Sequence, residues 1–232
     1  MSGMPNEPPI DITLQVRGAL FDMDGVLVNS TASDERCWLR WAQHHGMEGT
    51  FSLHATHGRR AVDTIRALRP DLDPYAELRR LEDIDAEDPT GSSALPGAAA
   101  LLAALPAHSW AIVTSAPSRL AKIRLQCAGI ALPHHLVTAD DVSRGKPDPE
   151  PYALGAGKLA LHPSQCLVIE DSPAGIQAGK TAGCKTLAVL SSHPIDALLE
   201  ADWIVPSLDH VSAIPAPDGT IAIHCHGARR FP

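Results

Sequence analysis

Val16-Arg17-Gly18-Ala19-Leu20-Phe21-Asp22-Met23-Asp24-Gly25 is the stretch on which the fold turns. A short apolar run meets a glycine turn, and the turn carries two carboxylates on alternate residues. Comparable apolar runs recur at residues 110–114, 136–137, 166–169, 186–190 and 203–205. Helical periodicity fills most of the gaps, at 98–105, 118–127, 150–159, 174–182 and 195–201. The runs are continuous rather than alternating, as strands buried on both faces require. Strands alternating with helices at this spacing predict an α/β fold, a Rossmann-like parallel sheet with helices on both faces.

Residues 31–95 interrupt that alternation. They are richer in charge, hold no strand-like run, and show helical periodicity over 35–45, 61–68 and 75–81. This predicts a helical bundle inserted after the first strand, with residues 1–30 and 96–232 forming the core. The segment 88–96, rich in Pro, Gly and Ser, reads as the return linker. Asp218-Gly219 predicts a small final hairpin in an otherwise weakly patterned tail.

Composition sets outer bounds. The chain has 232 residues, 44 % hydrophobic and 20 % charged, so disorder throughout is excluded. A net charge of −8 argues against a general partner among nucleic acids or anionic membranes. Cys37, Cys127, Cys166, Cys184 and Cys225 are odd in number, widely spaced and free of a Cys-x-x-Cys pair. They read as reduced thiols, and a cytoplasmic location is expected. Residues 1–11 lack the basic and apolar pattern of a signal peptide. Residues 91–118 carry no Lys, Arg, Asp or Glu, yet Pro96, Pro106 and Pro117 break them into a helix and a strand.

In an open parallel sheet, reactive groups gather at the carboxyl ends of the strands. Here those ends carry Asp22 and Asp24, then Thr114-Ser115-Ala116, then Glu170-Asp171-Ser172, with Lys146 in a polar loop between. Crowded carboxylates raise one another's pKa unless a cation intervenes. A hard oxygen-ligated ion such as Mg2+ resolves that conflict. A carboxylate beside the metal can attack phosphorus, while an ammonium and a hydroxyl match phosphoryl oxygens. Phosphoryl transfer therefore accounts for the mixture better than proton transfer alone. Ser172-Pro173 and Asp148-Pro149 read as helix starts, and helix starts favour anions. Taken singly, each piece has an ordinary reading as a turn, a cap or a solvated lysine.

These segments resemble the haloacid dehalogenase-like superfamily. The motifs are Phe21-Asp22-Met23-Asp24-Gly25-Val26-Leu27, Val113-Thr114-Ser115, Gly145-Lys146-Pro147-Asp148-Pro149-Glu150-Pro151-Tyr152, and Val168-Ile169-Glu170-Asp171-Ser172-Pro173. The helical insertion is similar to the cap of the branch holding β-phosphoglucomutase and sugar or polyol phosphatases. The resemblance implies a nucleophilic Asp22 and an acid/base Asp24. It implies Mg2+ held by Asp22, the Asp24 carbonyl and Asp171, with Glu170 beside it. Ser115 and the Ala116 amide would bind the phosphoryl group, and Lys146 would neutralise its charge.

The segment Thr56-His57-Gly58-Arg59-Arg60 looks closest to glycerol-3-phosphatases and 2-deoxyglucose-6-phosphatases. It nominates Arg60, Gly58 and His57 as substrate contacts, with Arg59 facing water. β-Phosphoglucomutase carries a histidine in its first cap helix; the matching position here is Asp34, and no histidine precedes His44. The expected activity is therefore hydrolysis of a small phosphorylated metabolite, a sugar or polyol phosphate, by a monomer. A phosphomutase and a silent metabolite-binding protein are the alternatives. Trp38 and Trp41 read as packing of the inserted bundle. His224-Cys225-His226 alternates on a strand, so Cys225 cannot join the two histidines around a metal. His44-His45 and His134-His135 read as surface or partly buried pairs.

Overall fold

The computed structural model describes residues 8–47, 58–86 and 92–230. Six parallel strands form the central sheet: β2 (Gly18–Phe21), β5 (Trp110–Val113), β6 (Leu136–Val137), β7 (Cys166–Glu170), β8 (Lys185–Val189) and β9 (Trp203–Val205). Their order is β6-β5-β2-β7-β8-β9. The chain leaves β2, returns beside it as β5, moves outward, and then comes back on the other side as β7. The switch point thus lies at β2, with β5 and β7 as its neighbours. Ligands in such sheets bind beyond the strand ends at this point.

Burial explains the continuous apolar runs. Ala19 and Phe21 pack with Ile112, Leu167 and Ile169 on one face of the sheet. Leu20 packs with Val113, Val168 and Tyr152 on the other. Helices α4 (Ala98–Ala104), α5 (Ser118–Cys127), α6 (Glu150–Lys158) and α7 (Pro173–Ala182) lie where helical periodicity predicts them. Ser172 caps α7 by accepting from the Gly175 amide at 3.1 Å, with Pro173 at the first helical position.

Two expectations change. The run from Val16 is not one strand: it breaks at Arg17, whose amide donates to the Gln165 carbonyl at 2.8 Å. Residues before the break form β1 (Ile10–Val16), which pairs antiparallel with β11 (Ile221–Ala228). β11 also pairs with β10 (Val211–Pro215) through the hairpin at Asp218-Gly219, closing a second, three-stranded sheet. Cys225 is buried in this sheet while His224 and His226 point to its other face, as strand alternation requires. The helix expected over 195–201 is only a tight turn at Ile195–Ala197, held by i to i+3 bonds. So short a segment does not repay helix nucleation.

The inserted segment holds α1 (Thr31–His44), α2 (Ala61–Leu68) and α3 (Pro74–Ala86). Cys37, Trp38, Trp41, Ile65 and Leu81 form an apolar cluster of its own. The Trp41 indole donates to Glu77 Oε2 at 2.9 Å, and His45 meets the same oxygen at 2.8 Å. The short pair β3 (Val28–Asn29) and β4 (Ser93–Ala94) joins the segment's two connections. Among the described residues, no helix is long and apolar enough to cross a membrane.

Candidate active site

Asp22 follows β2 directly, and its amide donates to the Ile169 carbonyl at 2.9 Å, which anchors the turn to β7. Lys146 reaches the same place from the loop before α6. Its ammonium donates to Asp22 Oδ1, to the Val113 carbonyl at 3.0 Å and to Glu170 Oε1 at 2.7 Å. All three ammonium protons are thereby engaged. The side chain is 1 % exposed, so the solvated-lysine reading is excluded.

Glu170 is fully buried and surrounded by donors. Oε1 also accepts from the Tyr152 hydroxyl at 2.8 Å. Oε2 accepts from the amides of Asp171 and Ser172 at 2.9 and 3.0 Å and from the Ser172 hydroxyl at 2.9 Å. Burial pushes the carboxyl up, but Lys146 and these hydrogen bonds outweigh it and hold Glu170 ionised below its ordinary range. Asp171 accepts from the Ser192 hydroxyl and lies against Gly25. Gly25 has a φ of +80°, and a Cβ there would sit 1.9 Å from Asp171 Oδ2, so only glycine fits.

Asp22 and Asp171 have the opposite balance to Glu170. Burial pushes the Asp22 carboxyl up to about 8; Lys146 pulls against it, and the charges of Glu170 and Asp24 add to it. Burial, followed by Glu170 and Asp22, holds Asp171 well above its ordinary range. Asp22, Glu170 and Asp171 can each offer one oxygen, all within 4.8 Å of one another. One ammonium does not balance three buried carboxylates. The donor set, all oxygen and surplus in negative charge, fits a hard divalent cation.

Asp24 points into the space between this cluster and the inserted helices. Its Oδ1 accepts from the Ser30 hydroxyl at 2.6 Å and from Arg124 Nη1 at 2.9 Å. Arg124 also pairs with Asp34 and, at 3.5 Å, with Asp85. A core arginine on α5 thus joins the turn after β2 to α1 and α3. The cavity here is about 110 Å³ and includes Asp22, Asp24, Ser115, Ala116, Trp38 and Asp171 in its lining. Ser115 donates to the Gly58 carbonyl at 2.9 Å, and the Ala116 amide donates to Thr114 Oγ1 at 3.0 Å. Gly58 has a φ of +75°, and a Cβ there would meet Ser172 Oγ at 2.2 Å.

Asp22, Asp24, Ser115, Ala116, Lys146, Glu170 and Asp171 therefore converge. Gly58 joins them through Ser115, and His57 lies outside the described residues. Arg60 differs from expectation. Its guanidinium donates to both oxygens of Asp63 and to the carbonyls of Val142 and Ser143 at 2.8 and 2.9 Å. It is a latch between α2 and the loop leading to Lys146, and Arg59 takes the place in the cavity lining. A Cβ on Gly145 would approach Arg60 Cγ to 2.6 Å, which gives that motif glycine its reason. Arg60→Ala strands two carbonyls and leaves Asp63 with Arg66 as its partner. We expect a loss of ~1–3 kcal/mol in thermal unfolding with the ranking of substrates retained. A changed ranking at unchanged stability would return Arg60 to the substrate.

Tyr152, Arg124, Ser192 and Asp85 are not legible as site residues from local pattern. Arg124 does leave a trace. It occupies the inward stripe of α5 with Ala121 and Leu125, where an arginine needs buried partners.

Comparison with known proteins agrees with this geometry. A family model described as haloacid dehalogenase-like hydrolase matches residues 16–183. Hexitol phosphatase A of Escherichia coli K12 is 41 % identical over 215 residues, covering 90 % of this chain and 100 % of its own. Glycerol-1-phosphate phosphohydrolase 1 of Saccharomyces cerevisiae is 34 % identical, covering 87 % of this chain and 85 % of its own. A β-phosphoglucomutase crystal structure from Clostridium difficile aligns with a TM-score of 0.71 at 20 % identity, over 84 % of this chain and 92 % of that one. At that identity the likeness speaks for the fold alone. The parallel sheet, the acidic cluster at its switch point and the matched residues lead to one assignment: the chain belongs to the haloacid dehalogenase-like hydrolase family.

Proposed function

We propose that the protein is a Mg2+-dependent phosphatase acting on a small sugar or polyol phosphate through a phosphoaspartate. The observation that carries this reading is the Lys146 ammonium held between Asp22 and Glu170, with Asp22 and Asp24 both lining the adjoining cavity. The names of the similar enzymes, a hexitol phosphatase and a glycerol-1-phosphate phosphohydrolase, support the substrate class.

In this reading the Asp22 carboxylate attacks phosphorus, forming an Oδ–P bond as the ester P–O bond breaks. Asp24 gives its proton to the departing alkoxide. Water then attacks phosphorus, Asp24 takes its proton, and the Oδ–P bond breaks to release inorganic phosphate and restore Asp22. Lys146 fixes Asp22 and offsets charge on the phosphoryl oxygens; the Ser115 hydroxyl and the Ala116 amide, which donate to the Gly58 carbonyl and to Thr114 Oγ1 in the ligand-free site, would turn those protons to the phosphoryl oxygens when substrate enters. Ser30 and Arg124 hold Asp24 by one oxygen. Asp22, Asp171 and the Asp24 carbonyl would hold Mg2+, which supplies charge neutralisation for the phosphoryl group. Both Glu170 oxygens already accept from protein donors, so Glu170 orients Lys146 and would neighbour Mg2+ rather than ligate it directly. Helices α1 to α3 act as a cap that excludes bulk water.

Asp24→Asn tests the acid/base role. We expect turnover of sugar phosphates to fall ~10²–10⁴-fold. p-Nitrophenyl phosphate, whose leaving group needs no proton, should give a burst of about one p-nitrophenol per enzyme before slow turnover. Equal losses on both substrates with no burst would place the proton donor elsewhere.

Mg2+ binding should also be visible as stability. The folded Asp22 carboxyl, at about 8 without metal, holds its proton more tightly than the ordinary value of 3.8. Its contribution to stability is full below that ordinary value and is lost as pH rises through about 8; Asp171 acts in the same direction. The metal-free Tm should therefore fall from about pH 5 to about pH 8, and Mg2+ should raise Tm more at the higher pH. A Mg2+ effect that is the same at both would remove these two carboxylates from the ion site.

A further inference from the structure

Beyond the phosphate end, the cavity is walled by the inserted helices. Asp34 and Trp38 of α1 and Leu78, Leu81, Glu82 and Asp85 of α3 line it. Their spacings of three and four residues place each set on one helix face. The wall is thus part apolar and part carboxylate.

Its charge is not balanced. Arg124 is the guanidinium among these groups, and it meets three carboxylates: Asp24, Asp34 and Asp85. Glu82 adds a fourth to the lining. Arg119 and Arg79 act on Glu82 from outside the lining, opposed by Asp140 and Asp83, and Arg119 is itself exposed and paired with Asp83 at 3.7 Å. Arg59 stands at the exposed rim, where it also borders a second cleft. The undescribed stretches 48–57 and 87–91 contain no lysine or arginine in their sequence.

A second observation concerns what the wall accepts. Arg124 lines the cavity but is only 6 % exposed, its Nη atoms face Asp24, Asp34 and Asp85, and its Nε–H is closed off from the cavity, so the carboxylates are what the wall offers a ligand. A ligand group that suits this setting must donate to carboxylates without bringing a negative charge of its own. A hydroxyl does so; a carboxylate or a phosphate dianion only accepts. Trp38, Leu78 and Leu81 offer surface to the C–H faces of a sugar or polyol.

We propose that Asp34, Glu82 and Asp85 select substrates whose chain beyond the phosphate is uncharged and rich in hydroxyls, and reject those with a second anionic group. The proposal rests on the phosphatase reading for which end of the cavity takes the phosphate. It disfavours sugar bisphosphates as ligands, and with them a mutase cycle that needs a bisphosphate activator.

The test is calorimetric binding to Asp22→Asn protein with Mg2+ at about pH 8, using D-glucitol 6-phosphate and 6-phosphogluconate. These share a carbon skeleton and differ at the far end, CH2OH against carboxylate. Asp34 is charged under these conditions, since burial, opposed by Arg124, pushes it up only to about 6. Glucitol 6-phosphate should bind on the order of 10²-fold more tightly. Glu82→Gln and Asp34→Asn, each added to Asp22→Asn, should narrow the ratio ~3–10-fold. The ratio is taken within one variant, so a partly folded preparation does not mimic the effect. Equal affinities, no binding of glucitol 6-phosphate, or a ratio unmoved by both substitutions overturns the proposal. Phosphate release by the unsubstituted protein is read separately: its absence with the binding ratio intact would defeat the phosphatase reading and leave the selectivity standing.

Discussion

Asp22→Asn protein should release no phosphate from any substrate, a loss of at least ~10⁴-fold in kcat. The carboxamide keeps the shape of the side chain but cannot form the acyl phosphate. It can still accept from Lys146 at its remaining carbonyl oxygen, so the turn after β2 should keep its place. The substitution also replaces one of three carboxyl groups crowded around one ammonium by a group that cannot ionise. Metal-free stability should therefore be retained or increased while activity is lost. Activity within ~10-fold of the unsubstituted protein would exclude Asp22 as nucleophile. Unfolding together with inactivity would show that the carboxylate is needed for structure, and the chemistry would then have to be read from a trapped phosphoaspartate.

Lys146→Met should damage both stability and turnover. The ammonium is buried and donates to Asp22, Glu170 and the Val113 carbonyl, so its removal leaves two buried carboxylates facing each other. Breaking a buried pair from one side costs ~3–5 kcal/mol, which for a chain of this size is a Tm lower by roughly 10 °C. Methionine fills much of the volume of the lysine stem, so the loss reports charge more than packing. Mg2+ should recover part of the Tm, because the ion offsets the same carboxylates, while kcat stays at least ~10²-fold down. A Tm within about 2 °C of the unsubstituted protein, with or without metal, would contradict the buried geometry of Lys146.

The central sheet is legible because both faces of its strands are covered, which leaves uninterrupted apolar runs ending in polar turns. The first run misleads for the same reason. Val16 and Gly18 look continuous, yet the chain changes sheets at Arg17. Strand β1 does alternate, with Leu14 and Val16 inward and Thr13 and Gln15 outward, but its partner β11 lies at the other end of the chain. Local pattern cannot supply that pairing.

The site divides similarly. Asp22, Asp24, Ser115, Glu170 and Asp171 stand at strand ends, so strand placement delivers them together. Tyr152 and Arg124 come from helix interiors, and their partners Glu170 and Asp24 are distant in sequence. Arg60 shows the limit of reading a residue type. A guanidinium near the site suits phosphate or sugar chemically, but carbonyls at Val142 and Ser143 reach it first.

The measurement that bears most directly on the account is release of inorganic phosphate, with and without Mg2+, from glycerol, 2-deoxyglucose, glucose, fructose, mannose and glucitol phosphates, phosphoglycolate and a nucleotide. The account predicts release that requires Mg2+, one phosphate for each dephosphorylated product, and neutral polyol and sugar phosphates ahead of phosphoglycolate. No release from any of them, or an isomerised sugar phosphate formed without free phosphate, would contradict it.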